Sequence, residues 1–447
     1  MCLCVFSPIF QGSTVIKANQ ILAQTFHTLR ASFSPLRVLN LRIYWSGQAV
    51  SLLGTWMQVT AQSWIVWELS KSKEALGIVS MLGSLPMLLF GLWAGVWVDR
   101  LDRRKILVAS QSAAMLLAFV LAALVFTNTV QLWHVYVLSF LLGCVTAIDF
   151  PAQQTFIGDL AGMSEVRKAI VVNAMILQVG RMVGPALAGL VMSAVGAAMA
   201  FFLNGLSFIA VIISLLFVRS HRTSGTHSGS SIRAVLDGLG FIRSQPRIQD
   251  IIFCSVLVAF FGISLLNFFS SVADEVLHGD EQTLGLLLAS SGAGALISTL
   301  IVTPLLQTRR RLGRVLALCV MWAGVWWILA SFSRSLPLTM LCVFTGALAT
   351  PTVLTTANGL IQTMAPPQMR GRVLSAFILV SFGIQPISSL IIGTVAERFG
   401  TPDAILFDGV AMIALAAAIL IFRRGFASWI PYPTGEPHSI EPAHGSH

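Results

Sequence analysis

Twelve apolar stretches, most of them close to twenty residues long, follow one another between residues 43 and 422, with short loops between them. About 20 residues of α-helix span the hydrocarbon core of a bilayer. Lipid offers no partner to a backbone N–H or C=O, so such stretches satisfy those groups internally, as helices. The stretches are too long for the strands of a membrane barrel. Composition agrees, with 56% hydrophobic residues and only 10% charged, against about 25% charged in soluble domains. A soluble fold of 447 residues would need far more polar surface to cover its core. A cytosolic enzyme, a nucleic-acid-binding domain and a disordered chain are thereby excluded, and the expected fold class is an all-α integral membrane protein.

The expected spans are 43–66, 76–98, 106–126, 132–152, 170–194, 199–218, 250–270, 284–305, 315–332, 336–357, 373–395 and 404–422. The net charge of +10 would point to nucleic acid in a soluble protein. Here the basic residues sit in alternate short loops, where they report topology. One set holds Arg100, Arg103, Arg104 and Lys105, then Arg167 and Lys168, Arg309 to Arg311 with Arg314, Arg370 with Arg372, and Arg423 with Arg424. The other set holds Lys71, Lys73, Arg334 and Arg398 beside Asp274, Glu275, Asp280 and Glu281. This asymmetry predicts cytoplasmic termini, a cytoplasmic central loop and an even number of spans in the plasma (inner) membrane.

The stretch Ser220–Ser231, rich in Ser, Gly, Thr and His, reads as a flexible linker. It predicts a tail over 1–37, a six-helix bundle over 38–218, a linker over 219–247, a second six-helix bundle over 248–425 and a tail over 426–447. The halves echo one another. Pro151 and Pro351, in Ala147–Pro151 and Ala347–Pro351, are 200 residues apart; Pro185 and Pro386 are 201 apart. Two similar bundles joined this way form the architecture of a rocking transporter.

The loop after the second span reads Gly95-Val96-Trp97-Val98-Asp99-Arg100-Leu101-Asp102-Arg103-Arg104-Lys105. It resembles the loop signature of the major facilitator superfamily, with Asp102 where the general pattern has a second glycine. That form is familiar in the branch of the enterobactin exporter and macrolide and drug efflux proteins. Gly47–Met57, Asp149–Gln154, Gly180–Gly189 and Arg370–Val373 resemble the same branch. The resemblance covers residues 38–425. It implies twelve helices in two pseudo-symmetric bundles, and efflux of a hydrophobic or amphipathic molecule, siderophore or drug-like, driven by proton influx. Uptake by the same fold and a non-transporting scaffold or sensor stand as alternatives.

Charge and spacing make Gly95, Asp99, Arg100, Asp102, Arg103 and Arg104 a candidate cytoplasmic gate, since Asp99 can pair with an arginine or face a helix N-terminus. The basic residues also suit anionic lipid headgroups. Gly180, Gly184 and Gly189 around Pro185 make a flat, bent helix for close packing, which the resemblance associates with antiport. Arg181 in the same span needs an interior partner, and Asp149 in the neighbouring span is the nearest candidate. Two readings stand for that pair: proton coupling or substrate binding, and a static structural ion pair. Glu68 is a further coupling candidate or an exposed helix end, while Asp250 and Asp408 read as interfacial.

Gln48, Gln58, Gln62, Asn173, Gln178, Asn204, Asn267, Asn358, Gln362 and Gln385 sit in or beside apolar spans. Amides are costly against lipid, so these residues predict a polar central cavity or helix bridges. Trp64, Trp67, Phe260, Phe261, Phe268 and Phe269 are candidate aromatic walls. Such a cavity suits a large amphipathic ligand. No phosphate-binding glycine loop or catalytic constellation is present, so neither a cofactor nor an enzymatic activity is expected. His438, His444 and His447 are too loosely spaced for a metal site. A monomer suffices, with small-molecule substrate, protons and lipid as partners.

Overall fold

The computed structural model describes residues 34–218, 232–309, 311–423 and 425–426; at 92, 95, 96, 99, 100, 163, 164, 167 and 232–235 it describes the backbone alone. The tails and the Ser220–Ser231 linker therefore fall almost wholly outside the described residues, as do the tail histidines.

Among the described residues all regular structure is helical. The helices are α1 (Leu39–Ser70), α2 (Lys73–Arg100), α3 (Arg103–Phe126), α4 (Leu132–Gly162), α5 (Lys168–Val195) and α6 (Ala197–Phe217). After the linker come α7 (Pro246–Val276), α8 (Glu281–Gln307), α9 (Leu312–Phe332), α10 (Leu336–Met364), α11 (Arg370–Phe399) and α12 (Thr401–Phe422). Eleven of these are long and apolar enough to cross a membrane. The helix outside that set is α1: its 32 residues are ample in length, but Gln48, Gln58 and Gln62 dilute its apolar character. The helices overrun the expected spans, because polar residues beyond the hydrocarbon continue the same hydrogen-bond ladder.

Local chemistry sets the turns. Ser72 caps α2 by accepting from Ala75 N, and Asp280 caps α8 by accepting from Thr283 N. The α5–α6 turn is Gly196 at φ +89°, and the α11–α12 turn is Gly400 at φ +92°. Both are conformations that glycine adopts without a Cβ penalty. These matched turns repeat the two-half pattern in three dimensions. In the second half, winding changes within helices. α7 widens at Val258–Ile263 and tightens at Ser264–Phe268, and α8 widens at Ser298–Val302 just before Pro304. Freed backbone groups of this kind are tolerated where protein or a cavity covers them.

Part of the expected linker is ordered. Ile232–Ser244 is a helix lying on α11, with Arg372 Nη1 donating to Asp237 Oδ2 at 2.9 Å.

The halves meet along two helix pairs, where small residues let backbones approach. In α2 against α11, a Cβ on Gly77 would stand 2.5 Å from Ser389 O. In α5 against α8, a Cβ on Gly285 would stand 2.6 Å from Pro185 O. One large apolar cluster runs through the second half and across to Trp64, Trp67, Leu76 and Met192 of the first. A second, built from Leu41, Tyr44, Trp45, Leu107, Phe156 and Leu215, stays within the first half.

Candidate functional site

A cavity of about 610 Å³ lies between the halves. Most of its wall belongs to α1 to α6; the second half contributes Ile263, Leu266, Asn267, Leu288, Ser291 and Gln385. Seven of the ten amides expected here line it: Gln48, Gln58, Gln62, Asn173, Asn204, Asn267 and Gln385. Three do not. Gln178 faces elsewhere on α5, and Gln362 donates to Asn358 at 2.5 Å on α10, away from the cavity. The aromatic wall also differs from expectation. Trp56, Phe150 and Phe208 supply it, whereas Trp64, Phe268 and Phe269 pack into the core and Trp67 Nε1 donates to Asp274 Oδ2 at 2.7 Å. These tryptophans belong to the packing between halves, which periodicity alone does not distinguish from a cavity face.

Asp149 and Arg181 both line the cavity, yet no ion pair joins them. Asp149 is held by its own neighbours. Its Oδ1 accepts from Ser110 Oγ at 2.5 Å and Gln111 Nε2 at 3.1 Å; its Oδ2 accepts from Gln111 Nε2 at 3.1 Å and Gln153 Nε2 at 2.5 Å. Gln153 in turn accepts from Gln48 Nε2 at 3.3 Å. Gln111, Gln153 and Gln154 are amides that sequence reasoning left out of the cavity, and Trp56, Phe150 and Phe208 are the aromatic residues it left out. Gln153 lies one turn after Asp149, a spacing that puts both on one face.

The guanidinium of Arg181 sits 5.5 Å from the Trp56 ring centroid. A cation over an indole face is attracted by the ring quadrupole, by about 0.5–2 kcal/mol. Arginine at a bilayer centre costs about 2.5–3.5 kcal/mol even on insertion scales, so the ring offsets part of that cost. Gly180 and Gly184 make the contact possible. A Cβ on Gly184 would stand 2.5 Å from the Trp56 Cβ, and one on Gly180 would stand 3.4 Å from its Cδ1. Those two glycines therefore face α1. Gly189 and Pro185 serve the other side of α5, against Gln282 and Gly285 of α8.

The cavity is sealed at the end that carries Lys71. Ser63 Oγ donates to Ser270 Oγ at 3.1 Å, Asn267 Nδ2 donates to Ser80 Oγ at 2.8 Å, and Ser80 and Ser389 share a bond at 3.0 Å. Beyond them Lys71 pairs with Asp274 at 2.8 Å and Lys73 with Glu275 at 2.7 Å. Glu397 Oε2 accepts from Lys73 N at 2.7 Å and Glu74 N at 3.4 Å, so a carboxylate of α11 caps the N-terminus of α2. All these bonds cross between halves. Glu68, at the same end of α1, is exposed and does not line the cavity.

At the opposite end, partners stay within one half. Arg103 pairs with Asp159, and Arg104 Nη2 donates to Leu216 O at 2.5 Å. Asp102 caps α3 through Arg104 N at 3.0 Å. Arg423 pairs with Asp250 at 3.6 Å. The side chains of Asp99 and Arg100, and the surroundings of Gly95, lie outside the described residues. Asp408, expected at the interface, is 2% exposed, and its Oδ2 lacks a donor. The turn from Gly400 starts α12 early enough to carry Asp408 inside.

Two helix bundles around a cavity closed at one end have the form of a multi-pass membrane transporter. The profile of the family described as transmembrane secretion effector matches residues 30–428, and the chain belongs to that family of the major facilitator superfamily. It is 22% identical to the staphyloferrin A transporter of Staphylococcus aureus, over 86% of this chain and 96% of that protein. It is 25% identical to the multidrug efflux pump Tap of Mycolicibacterium fortuitum (83% and 92%) and 23% identical to macrolide efflux protein A of Streptococcus pyogenes (83% and 93%). These relatives place it in the siderophore and drug efflux branch. Among solved structures the fold is similar to that of the nucleoside transporter NupG, at TM-score 0.68, 12% identity and 86% of this chain against 99% of that one. It is also similar to a bacterial homologue of the human lysosomal transporter Spinster, inward-facing and unoccupied, at TM-score 0.66 and 14% identity, over 88% and 98%.

Proposed function

We propose that the chain exports a hydrophobic or amphipathic small molecule by alternating access, driven by protons moving inward. The observation that carries this reading is the cavity sealed at one end by bonds between the halves, while charges at the other end are paired within a half. Bundles over 38–218 and 248–425 rock about that cavity. The basic loops assign the Arg103 end to the cytoplasm, so this state opens inward and both termini are cytoplasmic. In the opposite state the Lys71 seal breaks, and Gly95, Asp99, Arg100, Arg103 and Arg104 close the cytoplasmic side. Gly180, Gly184, Pro185 and Gly189 keep α5 close to both α1 and α8 during the change. The chain acts as a monomer, its basic loops in contact with lipid headgroups.

Asp149 is the proton site of this reading. Ser110, Gln111 and Gln153 stabilise its carboxylate between protonations, and the cavity supplies access. A proton crossing about 100 mV carries about 2.3 kcal/mol, a concentration ratio of roughly 50. Asp149→Asn keeps the shape and removes the charge. In energised vesicles its substrate gradient is expected to collapse to about one, while unenergised counterflow continues. Uncoupler-sensitive accumulation by this variant, equal to wild type, would overturn the assignment.

A further inference from the structure

We propose that Arg181 is the docking point for an anionic group, a carboxylate in the first instance, on the transported molecule. This names the substrate class of the export reading and rests on it.

The cavity wall carries two charged side chains, Asp149 and Arg181, and their surroundings differ. Both carboxylate oxygens of Asp149 have donors from Ser110, Gln111 and Gln153. That anion needs nothing from Arg181. The guanidinium of Arg181 has five N–H donors, and among the described residues none of them is donated to a protein acceptor. Its partner is the face of Trp56. That contact uses none of the five N–H donors, so the fork that fits a carboxylate in bidentate fashion is left for a ligand.

The fork is held in place from two sides. α1 presses Trp56 against Gly184, and Gly292 of α8 packs on the backbone of Arg181 and Met182, where a Cβ would stand 2.6 Å from Arg181 O. The backbone that carries the fork therefore sits where first and second halves touch. Elsewhere on the cavity wall, Leu52, Val59, Leu177 and Leu266 offer an apolar bed, with Gln62 and Asn267 as polar points. The ligand that satisfies this wall is an amphipath with an apolar body and an anionic end.

Two xanthene dyes of opposite charge test the proposal: fluorescein as the anion and tetramethylrhodamine methyl ester as the cation. Uptake of each into inverted vesicles carrying the full chain is measured under an imposed proton gradient. Wild type is expected to move fluorescein. Arg181→Gln is expected to lower that flux by about tenfold or more, the value of a lost charge-assisted pair, and not to lower the cation flux, since it removes a like charge from the cavity wall. Arg181→Lys, which keeps a charge without the fork, is expected to fall between them. Equal loss of both dyes in Arg181→Gln would make Arg181 a structural or coupling residue and overturn the proposal. A wild type that moves the cation and not fluorescein overturns anion docking and leaves export standing. A wild type that moves neither dye overturns anion docking for this class and counts against export itself.

Discussion

The two ends of the molecule both carry charged side chains and use them differently. At the Lys71 end, Lys71, Lys73 and Glu397 reach across to the other half. At the Arg103 end, Arg103, Arg372 and Arg423 find partners in their own half or its docked linker helix. The apolar packing divides the same way: the large cluster crosses between the halves, and the small one closes on itself within the first. The difference teaches that what joins the halves here is the choice of partner, not the number of charges. In this structure the loop arginines Arg103 and Arg104 are held locally, by Asp159 and by Leu216 O.

The comparison is most strongly broken by bulk at the close crossing. Gly77→Leu places a side chain against Ser389 O, where even a Cβ would stand at 2.5 Å. Overpacking of this kind costs about 1–3 kcal/mol, or about 5- to 150-fold in the balance between states. The Lys71 end should open, and a cysteine at Gln62 should label faster from that side. Unchanged labelling would mean that the crossing does not hold the seal. A smaller shift is expected from Glu397→Gln, which weakens the cap that α11 lends to α2. Loss of such a cap costs about 0.5–2 kcal/mol, or about 2- to 30-fold in the same labelling ratio. The smallest shift belongs to Asp102→Ala. It removes a cap of similar strength at the Arg103 end, but one made within the first half. Thermal stability of the purified protein should fall while the labelling ratio stays put; a changed ratio would show that the two ends are coupled through α3.

Much of this was legible before folding. Length and hydropathy give the spans, and an amide in an apolar span points to a cavity wall; Gln48, Gln58, Gln62 and Asn267 line the cavity in the structure. Asn358 and Gln362 lie away from it, one turn apart, where the two amides satisfy each other. Asp149 and Arg181 were each recognisable as costly. That Asp149 is satisfied by Ser110 and Gln111 instead is decided by how α3 meets α4. The seal was hidden for another reason. Lys71 and Asp274 stand 203 residues apart, and in sequence each is one more loop charge. Their meeting depends on the crossing of α2 with α11 and of α5 with α8, which is written in single glycines such as Gly77 and Gly285.

The modest hydropathy of α1 has a consequence for how the protein is made. The amide of Gln58 is answered by Asn204, 146 residues later at 2.6 Å, and Gly47 and Gly54 receive Ser214 and Ser207 of α6. During synthesis at about 5–20 residues per second, that partner emerges about 7 to 30 s after Gln58 does. Through this interval α1 carries unanswered amides into lipid or waits beside the insertion machinery. Among the described helices the earliest to emerge is among the last to be completed, and the arrival of α6 closes the first bundle around it.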